Sequence, residues 1–109
     1  MKRGEIWTVA GGAAYAGKPR PAVIIQDDRF DANDSVVVCP VTSDATNAPT
    51  FRVPVDPDDE NGLRHSCRLM VDKVAAVPRV RVRRRVGVLG AKEMTALNRA
   101  IVVFLGLGG

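Results

Sequence analysis

The apolar runs between residues 1 and 89 are short, and glycine, proline or acidic residues close each of them; only from Ala91 does the period lengthen. That punctuation admits strands and excludes a helical bundle. Residues 1–10 read as a first strand with Ile6, Val9 and the aromatic anchor Trp7, and residues 22–25 and 36–41 as two continuously apolar, buried strands. Residues 27–34 form a polar connection between those two. Pro40 has no N–H to donate, so it marks an edge, a bulge or the end of regular pairing. Phe51, Val53 and Val55 alternate with Arg52 and Pro54 in a half-exposed strand, and "DPDDENG" is an acidic, solvated turn. Residues 67–77 read as one long strand closed by Pro78. Val80, Val82 and residues 86–89 carry the last strand, with Arg81, Arg83, Arg84 and Arg85 on one charged face, either a solvated face or a nucleic-acid patch. Met94, Leu97, Ile101 and Phe104 or Leu105 then fall on one face of a C-terminal helix, which Gly106 and Gly108 stop. The fold class is mainly β with a C-terminal α-helix: a small, strongly bent antiparallel sheet or partly open barrel in one domain, residues 1–109.

The longest apolar stretches, residues 36–41 and 100–105, fall far below the roughly 18–20 residues of a membrane helix, and the N-terminus lacks an apolar signal core. The expectation is a soluble, cytoplasmic protein. Cys39 and Cys67 have no CxxC or histidine-rich companion and read as buried free thiols, and the lone His65 cannot build a zinc site, so neither metal nor cofactor is expected. His65 beside Ser66 is no nucleophile pair if both lie on a strand, where neighbours face opposite ways. The net charge of +4 suits a polyanionic partner.

The stretch "GKPRPAVIIQ", residues 17–26, braces one arginine between two prolines at a strand entrance. Pro21 pushes Arg20 toward extended backbone and Pro19 fixes its own φ, so less freedom is lost when the guanidinium engages a ligand. If residues 22–26 and 36–41 pair, counting outward from their connection brings residue 20 opposite residue 41 or 42. A guanidinium fork beside the Thr42 hydroxyl fits a phosphodiester. The loop of residues 11–18 lies beside them, with Tyr15 for base stacking and Lys18 for charge. Ser43, Arg64, His65 and Lys73 complete the candidate RNA-binding set.

"MKRGEIW", "GKPRPAVIIQ" ahead of "VVVCPVTS", "NGL" followed by "CRLMVDKVAAVPR", then "RRVGVLG" and a closing helix with "LGL" resemble, in order and over nearly the whole chain, the MazF/PemK toxins. The resemblance implies a small SH3-like barrel of the CcdB/PemK type and a homodimer. It also implies metal-independent cleavage of single-stranded RNA, neutralised by a MazE-like antitoxin. The paired catalytic residues of that family correspond to Arg20 and Thr42. Where many relatives carry acidic residues ahead of that arginine, this chain has Ala13, Ala14, Tyr15 and Ala16. The chemistry implied is attack by the RNA's own 2′-hydroxyl, leaving a 2′,3′-cyclic phosphate and a 5′-hydroxyl. Two alternatives share the architecture: a CcdB-like gyrase inhibitor and a non-catalytic RNA-binding barrel.

Overall fold

The structure, a computed structural model, describes residues 1–11, 18–44 and 51–108. Among these residues seven strands precede one α-helix: β1 (Glu5–Val9), β2 (Arg20–Ile24), β3 (Ser35–Thr42), β4 (Arg52–Val55), β5 (Cys67–Met70), β6 (Ala75–Pro78), β7 (Val82–Val88) and α1 (Ala91–Phe104). All strand pairs are antiparallel, in the order β4-β5-β3-β2-β1-β7, with β6 also on β3. β4 and β7 stand at the two ends of this order and do not pair, so the sheet is bent but open, and "barrel" describes it only loosely.

β3 is the hinge of the architecture. Its first half, Ser35 to Val38, pairs with β6, and its last two residues pair with β5, Val41 with Leu69 and Thr42 with Arg68. Cys39 and Pro40 lie between the two partners, and the missing proline N–H falls where the ladder changes hands. The run 67–77 is accordingly not one strand. It breaks at a 3-10 turn, Val71–Lys73, because Val71 is buried in the core and β5 and β6 serve different halves of β3. Arg52 fixes that turn from β4 with two bonds to Asp72, Nε at 3.1 Å and Nη2 at 3.2 Å.

Strand alternation sorts the core into two layers. Ile6, Val23, Cys39, Val41 and Leu69 pack under α1 through Leu97 and Ala100, while Val9, Ala22, Ile24, Val36 and Val38 pack on the opposite side with Val77, Val82 and Trp7. Leu97 is fully buried, which contributes roughly 1.5–3 kcal/mol and anchors a helix whose N-cap, Gly90, offers no side-chain cap. At the other end Gly106, at φ 72°, forms a Schellman motif: its N–H donates to Val103 O at 3.2 Å, and Leu107 N–H to Val102 O at 2.9 Å. Met94, Leu97 and Ile101 face the core as the period requires, whereas Phe104 and Leu105 are 44% and 55% exposed, because the sheet ends before the helix does. Among the described residues, no helix is long and apolar enough to cross a membrane.

Candidate active site

The candidate site lies where β2 begins and β3 finishes. The β2–β3 ladder, Ile24↔Val38, Val23↔Cys39 and Ala22↔Pro40, ends at the last of these pairs; carried two residues further, its register sets Arg20 across from Thr42, and alternation assigns both to the side of Ala22 and Val38, away from α1. Arg20 is exposed, and no carboxylate among the described residues pairs with it. Thr42 is half-buried, and its Oγ1 accepts the Asp44 N–H at 3.1 Å, which turns the chain at the strand end.

Arg20 lines two grooves. One, of about 370 Å³, is bounded by Arg20, Pro40, Thr42, Met70 and Lys73; the 3-10 turn that interrupts the run after β5 is what brings Lys73 to Thr42. The other, an open groove of about 610 Å³, holds Ser43, Arg64 and His65 together with Thr8, Arg84 and Arg85. Of the sequence-predicted set, Arg20, Thr42, Ser43, Arg64, His65 and Lys73 therefore converge, split between two grooves that share Arg20. Lys18 is exposed two residues before Arg20 and lines neither groove, and Tyr15 lies outside the described residues.

Such an arrangement offers cations and hydroxyls to an extended polyanion, and the matches across the whole chain say which kind of protein carries it. Residues 2–105 match the family of PemK-like, MazF-like toxins of type II toxin-antitoxin systems. The chain belongs to that family. A probable endoribonuclease MazF of Mycolicibacterium smegmatis is 50% identical over 109 residues, covering 100% of both chains. The Mycobacterium tuberculosis toxin MazF-mt6 superposes with a TM-score of 0.78 at 25% identity, over 94% of this chain and 96% of that one. An endoribonuclease from mycobacterial species, solved in complex with its cognate antitoxin, superposes at 0.81 and 20% identity over 98% and 96%. At that identity the second superposition speaks for the fold.

In this MazF/PemK-like chain the thiols stand apart from any nucleophile role. Cys39 is buried, and burial, with the Asp72 charge adding to it, pushes its pKa up to about 12. Cys67 is half-buried rather than buried, because it opens β5 at the rim of the larger groove; burial still raises its pKa, and its Sγ–H donates to His65 O at 3.1 Å. His65 lies in a bend and Ser66 in irregular chain ahead of β5, neither on a strand, and Ser66 Oγ donates to Asp56 Oδ1 at 2.9 Å rather than to His65. The acidic turn is more than solvated: Asp58 Oδ1 accepts the Glu60 and Asn61 N–H groups at 2.8 and 2.7 Å, and Asn61 is buried beneath it. Among the described residues, no group of three or more His, Cys, Asp or Glu converges as metal ligands do.

Arg84, Arg85 and Thr8 were absent from the sequence-predicted site. Regular alternation would send Arg84 and Arg85 to opposite faces, so a period-2 reading does not place both in one groove. The sequence signal was there: three consecutive arginines, Arg83 to Arg85, with no acidic residue among them.

Proposed function

We propose that this protein is an endoribonuclease toxin that cleaves single-stranded RNA by transesterification and is held in check by an antitoxin. The observation that carries the reading is that Arg20 and Thr42, at the adjoining ends of β2 and β3, line one groove while Arg20 also lines a second, in a chain of the MazF/PemK-like family. The RNA 2′-hydroxyl attacks the adjacent phosphorus, the bond to the 5′-oxygen breaks, and the products carry a 2′,3′-cyclic phosphate and a 5′-hydroxyl. Arg20 supplies preorganised charge to the phosphoryl oxygens as negative charge gathers there, and its proline brace limits what must be ordered on binding. The Thr42 hydroxyl, seated in the same groove, orients the phosphate or the 2′-hydroxyl. Lys73 adds charge on the Thr42 side, and Ser43, Arg64 and His65 hold the strand on the other. Lys18 and Tyr15, which precede Arg20 in the sequence, contact flanking nucleotides.

Assembly is part of the proposal. The end of α1 exposes Val103, Phe104, Leu105 and Leu107, an apolar patch suited to a two-fold partner in a cytoplasmic homodimer. An antitoxin of the MazE kind blocks the RNA path, in line with the mycobacterial relative solved with its cognate antitoxin.

The test is incubation with a long single-stranded RNA in EDTA, followed by mapping of the ends. Discrete cuts with cyclic-phosphate and 5′-hydroxyl termini are expected. Intact RNA would favour a gyrase-inhibiting or purely RNA-binding protein of the same architecture.

A further inference from the structure

The pairing of β7 with β1 contains two irregularities. Glu5↔Val88 and Ile6↔Gly87 share one register, Trp7↔Arg85 is shifted by one residue, and Val9↔Val82 by one more. Each shift inserts an extra residue into β7, so the alternation of its side chains is lost twice between Val82 and Gly87. As a result Arg84, Arg85 and Val86, three consecutive residues, all line the larger groove. A regular strand would have turned one of the two arginines away from it. The Thr8 hydroxyl in the same groove secures the irregular segment by accepting the Arg84 N–H at 3.1 Å.

The Arg85 side chain is held in a particular way. Glu5 Oε2 accepts its Nε–H at 2.9 Å, while Glu5 Oε1 accepts the Lys2 N–H at 2.7 Å and the Trp7 Nε1–H at 3.1 Å. The carboxylate is thus fixed from three directions and grips the guanidinium by its inner nitrogen. Among the described residues, neither terminal nitrogen of Arg85 has a partner, and the guanidinium groups of Arg84 and Arg64 have none. Other arginines of this protein are committed to structure: Arg3 to Ile25 O and Asn98, Arg52 to Asp72, Arg79 to Asn33 O and Asp31.

We propose that the β7 bulges build a second arm of the RNA path, in which Arg84 and Arg85 bind backbone phosphates of nucleotides flanking the scissile one, and that Glu5 is the positioning residue that aims the Arg85 fork. The proposal rests on the endoribonuclease reading, with Arg20 as the junction between this arm and the Thr42 groove. Terminal nitrogens left free on a guanidinium held at Nε are the geometry for bidentate capture of phosphate oxygens. Contacts of this kind fix register along the strand and carry no base information.

The experiment measures cleavage of a single-stranded RNA and binding of the same RNA with a 2′-deoxyribose 5′ of the mapped cut, across a salt series, for the wild type, Arg84→Ala, Arg85→Ala, Glu5→Gln and Glu5→Gln/Arg85→Ala, each checked for folding by its melting transition. Arg84→Ala and Arg85→Ala should each weaken binding roughly tenfold and lower the magnitude of the slope of log K against log salt by about 0.7. Their KM should rise with kcat little changed. Glu5→Gln should raise KM in the same way and add nothing in the double variant, because both substitutions remove one aimed fork. Tighter RNA binding by Glu5→Gln, the result of deleting a nearby anion that merely masks Arg85, would overturn the positioning role. Folded arginine variants with wild-type affinity and salt slope would overturn the second arm while leaving the cleavage reading intact, even if they lost affinity for a polyglutamate probe. A wild type that neither cuts nor binds RNA would overturn both.

Discussion

Arg20 opens β2 and Thr42 ends β3, and the register that pairs Ala22 with Pro40, carried two residues beyond that last pair, sets the two across from each other at the rim of one groove. The ladder carries the aim. Both backbones are fixed by the buried residues behind them, Ala22, Val23, Cys39 and Val41, so the charged fork and the hydroxyl are presented by rigid elements while the chains beyond them turn away.

Arg20→Ala should leave the fold intact, because the side chain is exposed and makes no hydrogen bond or ion pair among the described residues, yet lower the cleavage rate by about 10²-fold or more. Arg20→Lys should also be poor, since an ammonium cannot reproduce the fork. Single-turnover cleavage rates alongside melting curves check this; a folded Arg20→Ala enzyme within a few-fold of wild type would remove Arg20 from its role.

Thr42→Val keeps the shape but removes the Oγ1 that accepts the Asp44 N–H and faces the groove. The rate should fall by about tenfold or more, and Thr42→Ser should retain most of it, because the hydroxyl is the group that acts. Equal rates for the serine and valine variants would contradict the assignment.

Much of this geometry was legible in the chain. The braced arginine, its opposition to Thr42 and the single closing helix follow from proline chemistry, loop counting and a change of period. Three features were not. The break at residues 71–73 sits inside an apolar run where strand and 3-10 turn look alike, and only the division of β3 between β5 and β6 requires it. Arg84 and Arg85 were hidden because a bulge is invisible to a period-2 reading. The exposure of Phe104 and Leu105 reflects where the sheet stops, which helical spacing does not encode.

Burial works against ionisation of Glu5, but the Lys2 N–H, Arg85 and Trp7 outweigh it and hold its pKa at about 2, below the ordinary 4.5. A depressed carboxylate stabilises the fold above its unfolded pKa, and that contribution fades as pH falls from 4.5 through 2. Urea unfolding should therefore show Glu5→Gln less stable than wild type at pH 6, with the difference shrinking toward pH 2. A constant difference across that range would contradict the linkage.

Gly87 sits against the acidic turn, where a Cβ would overlap the carbonyl oxygens of Glu60 and Asn61. The Val88 N–H donates to Glu60 O at 3.0 Å, so the turn cannot retreat without losing a bond to β7. Gly87→Ala should destabilise by roughly 1–3 kcal/mol, read as a lower urea midpoint with an unchanged slope. A wild-type midpoint would show that this contact yields freely.

The central claim is that the RNA supplies its own nucleophile while Arg20 and Thr42 hold the phosphate. A single 2′-deoxyribose placed just 5′ of the mapped scissile phosphate removes that nucleophile and little else, in a reaction where proximity alone lowers the barrier by several kcal/mol. The account predicts near-normal binding of the substituted strand and no cleavage at that position, with the all-RNA strand cut fully in EDTA. Cleavage of the substituted strand at the same phosphate would contradict it.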